Sequence, residues 1–490
     1  MQLSSVTLSS LPDEVNRPTY DRSAVSVGVV HFGVGGFHRS HQAMYLDRLM
    51  SEGAALDWGI CGVGLLPGDA RMRDIMAAQD CLYTLELKHP DGARELSVIG
   101  SIVRYLFAPD GPGAVLEQMA DPAVRIVSLT VTEGGYNIDA VTGEFVESAP
   151  SVVQDAANPD NPTTVFGYIV EALALRRSRG IPPFTVMSCD NIQGNGDVAK
   201  QSFVAFARMR SEELADWIAA EVAFPNSMVD RITPVTSDED RAEVSERIGM
   251  TDAWPVVAEP FIQWALEDHF PLGRPAFEQV GVQVVEDVEP YELMKLRLLN
   301  ATHQGMCYFG YLAGYRFAHE ASADPAIAQF LLDYMVHEAT PTLKPVPGVD
   351  LTAYQHMLIE RYRNPEVRDT LARLCAESSD RIPKWLLPVV REQLAVNGRI
   401  TNAAAIVASW ARYAEGVDEQ GEPIEVVDRL RDELVPVAQT QRQVPLAFLE
   451  NRALFGDLID DPRFVEAYLS ALESLHSVGA LATVQGLSAE

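Results

Sequence analysis

Residues 26–37 read SVGVVHFGVGGF, a short apolar run that ends in a cluster of glycines. An uninterrupted run of this length is typical of a strand that is buried on both faces. The next segment, residues 39–50, carries Met44, Leu46 and Leu49 at positions that suit a helix. A buried strand, a tight glycine turn and a helix predict the beginning of a parallel α/β sheet.

The glycine turn resembles a nucleotide-binding motif. The pattern Gly33-x-Gly35-x-x-His38 matches the first two glycines of G-x-G-x-x-G and lacks the third. Those two glycines let the chain turn tightly and let a pyrophosphate approach the backbone at a helix N-terminus. His38 and His41 have a spacing that suits a metal pair, but no third ligand follows, so we expect packing or phosphate contact and no metal. The residues predicted to contact a dinucleotide at this turn are Phe32, Gly33, Val34, Gly35, Gly36, Phe37 and Arg39.

An acidic residue stands where folds with this motif hold the adenosine ribose. The second predicted strand, residues 58–66, is soon followed by Asp69. A carboxylate there binds the ribose hydroxyls and repels a 2′-phosphate, which favours NAD over NADP. Asp69 could instead cap a helix that begins at Ala70. A nearby Arg71 or Arg73 weakens the preference for NAD.

Strand and helix patterns alternate through the first half of the chain. Strands are predicted at residues 125–131, 184–188 and 228–232, and helices at 166–177 and 197–210. This alternation predicts a mostly parallel, doubly wound sheet, whose ligands bind beyond the carboxyl ends of the strands. The candidates at those ends, each of which could also belong to an ordinary turn, are Thr132, Glu133, Asn191, Val229 and Asp230.

Long helical patterns replace the strands from about Val288 onward. We therefore predict a Rossmann-like dinucleotide-binding domain over residues 1–286 and an α-helical substrate-binding domain over residues 287–490. The predicted helices of the second domain are residues 291–312, 325–338, 351–361, 367–378, 386–396 and 403–415.

The first of these helices contains the sequence ELMKLRLLNATH at residues 292–303. At about 100° per residue from Lys295, Glu292 falls near 60°, His303 near 80° and Asn300 near 140°, all on one side of the helix. Because leucines share that side, we expect these polar groups to be buried, and burial favours an amine that can accept a proton. Lys295 is therefore a candidate general base. The alternative is a structural ion-pair network that supports the helix.

The composition limits the class of protein. A chain of 490 residues is expected to form two domains. A formal net charge of −31 argues against nucleic acid and anionic membranes as partners. Five cysteines without C-x-x-C spacing suggest reduced thiols in a cytoplasm, and we see neither a signal peptide nor an apolar run long enough to span a membrane. The expected partner is a small molecule, and the chain is compatible with a monomer.

Four motifs, in order along nearly the whole chain, resemble the mannitol dehydrogenase family of polyol-specific long-chain dehydrogenases. They are residues 33–41 (GVGGFHRSH), 188–191 (SCDN), 228–234 (MVDRITP) and 295–303 (KLRLLNATH). The resemblance implies a metal-independent enzyme that oxidises a secondary alcohol with NAD. It also implies polyol substrates such as mannitol, which would become fructose, or arabinitol or sorbitol.

The same resemblance implies roles for individual residues. Lys295 would be the general base or acid, and Asn191 and Asn300 would stabilise the alkoxide-like oxygen. Glu292 would help pass the proton to solvent. The residues that would bind the substrate are Asp230, His303, Arg373 and one of Arg381 and Lys384.

Two alternatives remain open. A hexuronate reductase acting on fructuronate or tagaturonate would need an extra cation near Arg373. A nucleotide-binding sensor that kept the fold without catalysis would not need Lys295, Asn191, Asn300 and His303 together.

Overall fold

The computed structural model describes residues 1–139 and 143–488. Contacts between residues divide the chain into two compact units, Met1–Glu289 and Pro290–Glu490. The first unit combines strands and helices, whereas the second is mostly helical. The predicted fold class, a doubly wound sheet domain followed by a mostly α-helical one, is confirmed.

The main sheet of the first unit is parallel, with strand order β5-β2-β1-β6-β7. Apolar side chains from its central strands, such as Val30 and Val127, are fully buried in one core cluster. The strands of this unit are β1 (Val27–Phe32), β2 (Gly59–Gly64), β3 (Tyr83–Lys88), β4 (Arg94–Ile99), β5 (Ile102–Phe107), β6 (Ile126–Leu129), β7 (Thr185–Ser188), β8 (Ser227–Asp230), β9 (Val256–Ala258), β10 (Gln263–Glu267) and β11 (Gln283–Val285).

Two smaller sheets depart from the sequence-based expectation. The strand predicted at residues 228–232 is β8, which pairs antiparallel with β10 and lies outside the parallel sheet. An apolar run indicates burial but does not specify the partner strand. The hairpin of β3 and β4 was not predicted, because Glu86 and Lys88 interrupt the apolar pattern of β3. Both residues are nevertheless buried, and Lys88 donates to the Asp240 carboxylate over 2.5 Å.

The helices of the first unit include both predicted helices, residues 166–177 and 197–210, within a residue or two. The helix predicted at residues 39–50 is instead broken at His41, whose backbone leaves the helical region and whose ring stacks on Phe37. These helices are α1 (Gly36–Ser40), α2 (Gln42–Ser51), α3 (Ala70–Ala78), α4 (Gly113–Ala120), α5 (Pro150–Ala157), α6 (Val165–Ser178), α7 (Asn195–Arg210), α8 (Glu212–Glu221) and α9 (Asp238–Ile248).

The second unit is built from helices. Within its described residues, β-structure is limited to two isolated bridges, Phe317 with Thr370 and Val417 with Pro423. Its helices, the first of which begins one residue before the unit, are α10 (Glu289–Met294), α11 (Ala301–Leu312), α12 (Ala318–Ala323), α13 (Pro325–Tyr334), α14 (Leu351–Tyr362), α15 (Leu371–Cys375), α16 (Ser378–Trp385), α17 (Leu387–Ala395), α18 (Thr401–Tyr413), α19 (Arg431–Ala438), α20 (Arg452–Phe455), α21 (Pro462–Ser477) and α22 (Ala480–Leu487).

Three details of the helical prediction are wrong. The helix predicted at residues 325–338 ends at Tyr334, where a π-helical turn, Met335–Ala339, begins. The helix predicted at residues 367–378 is only α15, because Thr370 caps its start and Glu377, with φ of 52°, lies beyond its end. The helix predicted at residues 291–312 is interrupted by a π-helical turn, Lys295–Asn300, between α10 and α11. None of the described helices is both long and apolar enough to cross a membrane.

Candidate active site

The glycine turn lies where the parallel sheet reverses its strand order. β1 pairs with β2 on one side and β6 on the other, so the carboxyl ends of β1 and β6 flank the position where doubly wound sheets bind ligands. Gly33 has a φ of +92°, and a Cβ there would lie 2.1 Å from the Thr130 carbonyl oxygen. The Thr130 hydroxyl donates to the Gly33 carbonyl over 2.7 Å. Only glycine therefore fits position 33.

Gly35 leaves open space beside this turn. It is exposed, and among the described residues an added Cβ would meet only the Gly33 carbonyl oxygen, at 3.8 Å. Its φ of −93° suits any residue, so the backbone does not require glycine here. The missing side chain instead lets a ligand approach the backbone, and a dinucleotide pyrophosphate fits this cradle. Four neighbouring residues are also predicted to contact the cofactor. Phe32 and Val34 are buried, and Gly36 and Phe37 are half-buried.

Arg39 supports the glycine turn from inside the protein. Its guanidinium donates to the Gly35 carbonyl over 3.3 Å and to the Trp254 carbonyl, and it lies 5.1 Å from the centroid of the Tyr83 ring. Burial lowers the pKa of Arg39 to about 10. These contacts assign Arg39 a structural role, and its predicted contact with a cofactor stays a prediction.

The histidines near the turn are buried and pack against other groups. The rings of His31 and His38 stack with centroids 3.4 Å apart, and burial lowers the pKa of both imidazoles, that of His31 to about 3. His41 Nε2 donates to the Gln263 carbonyl over 2.9 Å. Across residues 1–139 and 143–488, no group of three or more His, Cys, Asp or Glu side chains is arranged to hold a metal ion.

Asp69 lies beyond the carboxyl end of β2, as a ribose-binding residue should. Its Oδ2 accepts the Leu66 backbone N–H over 2.9 Å, which closes the turn before α3. Among the described residues it makes no side-chain hydrogen bond to the first turn of α3. Asp69 therefore closes the short turn that precedes α3 and, within the described part of the chain, does not cap α3 itself with its side chain. It stays a candidate for binding the adenosine ribose.

The two arginines that could accept a 2′-phosphate are both engaged with protein groups. Arg71 lies over the Trp254 ring, 4.5 Å from its centroid. Arg73 donates to Asp74 over 2.9 Å and to Asp110 over 3.3 Å. Neither contact removes the charge of its arginine, so the role of Asp69 in the choice between the two dinucleotides stays a prediction.

A buried carboxylate holds the loop that follows β6. Asp190, directly after Cys189 at the end of β7, accepts the backbone N–H of Val131 over 3.1 Å and that of Thr132 over 2.7 Å. It also accepts the Tyr136 hydroxyl over 2.8 Å. Thr132 has a φ of 67°, which is strained for a β-branched residue and requires such support.

Asp190 was missed by the sequence reasoning, although it lies between Cys189 and the candidate Asn191. Burial raises the pKa of Asp190 to about 6, against the effect of its hydrogen bonds. Its backbone carbonyl is also fixed, by the Asn195 side-chain amide at 3.0 Å. Asp190 therefore orders both loops that carry the candidates Thr132, Glu133 and Asn191. The only feature of the sequence that indicated a role for Asp190 is its position next to Asn191, soon after a predicted strand.

The remaining candidates of the first unit lie at the end of β8. Val229 and Asp230 are both buried, and they stand opposite Trp264 and Gln263 of β10 in the antiparallel pair. The structure thus fixes the Asp230 carboxylate on a strand rather than on a loop. Asn191, in contrast, is exposed beyond the end of β7.

The four polar candidates of the second unit lie on one continuous helical segment. Glu292 belongs to α10, Lys295 and Asn300 are the first and last residues of the π-helical turn, and His303 lies in the first turn of α11. All four are buried, Lys295 with 7% and Asn300 with 4% of its surface exposed. The predicted burial of these groups is therefore observed.

Asn300 carries a buried hydrogen-bond donor that the protein does not use. Among the described residues its Nδ2 has no hydrogen-bond partner. Leaving such a donor unsatisfied costs about 1–3 kcal/mol, and a ligand or a water that supplies an acceptor removes this cost. An oxygen atom of a ligand would satisfy it.

Among the three basic candidates, Arg373 and Arg381 lie close together. Both oxygens of Asp369 accept from Arg373, over 2.7 and 2.6 Å. Arg381 donates to the Leu374 carbonyl over 2.9 Å and to the Arg373 carbonyl over 3.3 Å. Lys384, in contrast, is exposed. The structure thus places Arg381, not Lys384, against the α15 backbone beside Arg373.

Comparisons with known proteins agree with this division of the chain. The sequence pattern of the mannitol dehydrogenase Rossmann domain matches residues 27–279, and that of the mannitol dehydrogenase C-terminal domain matches residues 287–476. The mannitol 2-dehydrogenase of Phaeosphaeria nodorum is 47% identical over 99% of this chain and 85% of its own length. The mannitol 2-dehydrogenase of Aspergillus fumigatus is 46% identical over 96% of this chain and 95% of its own length.

Solved structures give the same result. Mannitol 2-dehydrogenase of Pseudomonas fluorescens, in a ternary complex with NAD and D-mannitol, has a TM-score of 0.91 and 44% identity, covering 100% of both chains. A D-sorbitol dehydrogenase in substrate-free form has a TM-score of 0.91 and 37% identity, covering 99% of this chain and 100% of its own. The chain belongs to the mannitol dehydrogenase family.

Proposed function

We propose that this protein is an NAD-dependent polyol dehydrogenase that oxidises a secondary alcohol of a sugar alcohol, with D-mannitol as the first candidate substrate and fructose as its product. The observation that carries the proposal is the π-helical turn, which holds a buried lysine and a buried, unpartnered amide donor at its two ends. A proton acceptor and an oxyanion donor are the two groups that oxidation of an alcohol requires from the protein.

NAD is the cofactor that the first unit suits. The cradle at Gly33 and Gly35 would hold the pyrophosphate, and Asp69 would hold the adenosine ribose. Thr132 and Glu133 lie on the loop after β6, where the nicotinamide half of a dinucleotide would bind in a doubly wound sheet. When bound, NAD supplies the hydride acceptor.

Lys295 is the general base of the proposed reaction. Its amine takes the hydroxyl proton while the hydride leaves the same carbon, so the alcohol becomes a ketone and two electrons leave with the hydride. Glu292, three residues earlier on the same segment, passes the proton on to solvent. The Asn300 Nδ2 donor stabilises the oxygen as negative charge develops on it.

Other residues bind or orient the substrate. His303 holds a substrate hydroxyl from the second unit, and its ring is itself oriented by the Tyr362 ring, 4.8 Å away between centroids. In the first unit, the family resemblance gives Asn191 the role of a second oxyanion donor and Asp230 that of a hydroxyl-binding residue. Arg373, with Arg381 beside it, belongs to the substrate-binding residues as well.

We prefer a free polyol over a hexuronate because relatives at 46–47% identity are named mannitol 2-dehydrogenases. Asp369 accepts two hydrogen bonds from Arg373, a guanidinium has further N–H donors, and Arg381 lies beside it, so the substrate panel decides between the two substrate classes. The five cysteines are buried free thiols, which suits the cytoplasmic location that we propose. We propose a monomer that acts on small polyols and ketoses.

A substrate panel tests this function. D-mannitol, D-arabinitol and D-sorbitol are offered with NAD and with NADP, and fructose and fructuronate are offered with NADH, while the absorbance of reduced nicotinamide is followed. We expect oxidation of at least one polyol with NAD and faster reduction of fructose than of fructuronate. Faster turnover of fructuronate would identify a hexuronate reductase. NAD binding without turnover of any of these compounds would identify a nucleotide-binding sensor.

A further inference from the structure

The wide turn between α10 and α11 changes the relative direction of the two residues at its ends. Residues Lys295–Asn300 form a π-helical turn, whose hydrogen bonds run from residue i to residue i+5. In a regular α-helix, residues five apart point about 140° away from each other. In a turn closed by i to i+5 bonds, residues five apart lie about one turn above each other. The angle between the directions of Lys295 and Asn300 is therefore smaller than in an α-helix.

Such a turn must be held by contacts outside the helix. π-helical turns are rare because they are less favourable than the α-helix, and they occur mostly as single turns, frequently at functional sites. The sequence of this segment, with Leu296, Leu298 and Leu299, contains strong α-helix formers and neither glycine nor proline. The wide geometry therefore depends on tertiary anchors.

Arg297 is the first anchor, and it lies inside the turn. Its Nη1 and Nη2 donate to the two carboxylate oxygens of Glu392, on α17, over 2.8 and 2.7 Å. Its Nη1 also donates to the Thr342 carbonyl over 2.9 Å. Only 6% of Arg297 is exposed, and a two-point contact of this kind fixes both the position and the plane of the guanidinium.

The second anchor lies at the C-terminal side of the turn. The Thr302 hydroxyl lies within hydrogen-bond distance of the Leu298 carbonyl and, at 3.0 Å, of the Leu299 carbonyl. The Tyr362 hydroxyl, from the end of α14, lies 2.8 Å from the Thr302 hydroxyl and 3.2 Å from the Leu299 carbonyl, and the two hydroxyl protons are shared among these contacts. This anchor fixes the last carbonyls of the turn, which leaves Arg297 to hold its beginning and middle.

We propose that Arg297 and Glu392 are a positioning pair that maintains the π-helical turn and thereby sets the direction of Lys295 relative to Asn300. The proposal rests on the proposed function, since it assumes that these two residues act on one substrate oxygen and its proton. Arg297 and Glu392 touch neither substrate nor cofactor in this proposal. They act only through the backbone that carries the two catalytic side chains.

The test compares variants of this pair with a matched change on the same helix. Arg297→Met removes the anchor, Arg297→Lys keeps the charge without the two-point contact, and Glu392→Gln weakens the acceptor. Arg391→Gln is the control, because Arg391 is adjacent on α17 and its ion pair is with Asp457, away from the turn. For each variant we would measure kcat and KM for D-mannitol, the pH profile of kcat, NAD affinity and the melting temperature.

We expect kcat to fall about 100-fold in Arg297→Met and less in Arg297→Lys and Glu392→Gln, since a displacement of about 1 Å has an effect of this size. NAD affinity should stay within a few-fold of wild type, and the pH at which kcat reaches half its maximum should move. Arg391→Gln should retain wild-type kcat and pH profile. If Arg297→Met does not fold, Arg297→Lys and Glu392→Gln carry the comparison.

Two results would overturn the positioning role. One is a wild-type kcat in the folded variants. The other is a lower melting temperature with an unchanged pH profile of kcat, which would show that Arg297 and Glu392 only stabilise the packing of the helices. An inactive wild-type protein would instead refute the proposed function, so the two failures are distinguishable.

Discussion

At the scale of single residues, the central observation is an amide donor that is buried without a partner. Asn300 is 4% exposed, and among the described residues its Nδ2 donates no hydrogen bond. A protein tolerates that cost where a ligand supplies the missing acceptor. We propose that the missing acceptor is the substrate oxygen, on which negative charge develops during the reaction.

Asn300→Ala should therefore lower kcat for polyol oxidation about 100- to 1,000-fold, the range found when a single oxyanion donor is removed. NAD affinity, which depends on the first unit, should stay within a few-fold. Steady-state kinetics and NAD titration measure both quantities. Gln329→Ala, which removes an exposed amide from the same unit, is the control and should retain wild-type kcat. A kcat within three-fold of wild type in Asn300→Ala would remove Asn300 from the reaction.

We expect Asp69 to set the preference for NAD over NADP. Asp69→Ala should raise kcat/KM for NADP relative to NAD, because the carboxylate that repels a 2′-phosphate is lost. The comparison uses both dinucleotides at saturating polyol, with Asp13→Ala as a control that removes an exposed carboxylate from the same unit. An unchanged ratio would assign Asp69 to the hydrogen bond with Leu66 alone.

Individual residues differ in how far the sequence could identify them. Gly33 was predictable because its steric requirement follows from the strand and turn around it. Asp190 was not, because its partners Val131, Thr132 and Tyr136 lie more than fifty residues away and bond mainly through their backbone. The hydrogen bond of Arg381 to the α15 backbone was likewise not predictable, and which of Arg381 and Lys384 binds the substrate stays a prediction.

At the scale of elements, the loop after β6 depends on the charge of one carboxylate. Burial raises the pKa of Asp190 from 3.8 to about 6, so between these pH values the folded state holds a proton that the unfolded state has released. Its contribution to the free energy of unfolding therefore falls as pH rises through that window. The titratable groups that influence it are Tyr136, Glu133 and Cys189.

Asp190→Asn tests this sign, since the amide does not titrate. The free energy of unfolding of the variant, minus that of wild type, should increase as pH rises from about 4 to about 6 and should be constant above about 7. Denaturant titrations at several pH values measure the difference, and other groups cancel because both proteins contain them. A difference that does not change with pH would show that Asp190 has an ordinary pKa.

Elements were predictable where the local pattern decides the structure. β1, β2, β6 and β7 are continuous apolar runs between turns, and their predicted positions agree with the structure. The hairpin of β3 and β4 was missed because an ion pair between Lys88 and Asp240 lets charged residues enter a buried strand. The π-helical turn has no local signal, since its anchor Arg297 bonds to Glu392, ninety-five residues away.

At the scale of the whole molecule, the order of the motifs carried more information than the composition. A net charge of −31 argues against nucleic acid and anionic membranes as partners, but it does not bear on an uncharged polyol. Four motifs in sequence order identified the family, and matches over residues 27–279 and 287–476 agree with them. The choice of polyol depends on a few hydrogen bonds from residues such as Asp230 and His303, which a family pattern does not resolve.

The central claim is that Lys295 takes the proton from a polyol whose hydride passes to NAD. The most direct measurement is the formation of reduced nicotinamide from NAD and D-mannitol by the wild-type protein and by Lys295→Ala, with NAD affinity measured for both. We predict turnover by the wild type, a loss of about 100- to 10,000-fold in kcat for the variant, and NAD affinity within a few-fold. Wild-type turnover in Lys295→Ala, or loss of NAD binding in parallel with activity, would contradict the assignment of Lys295 as the base.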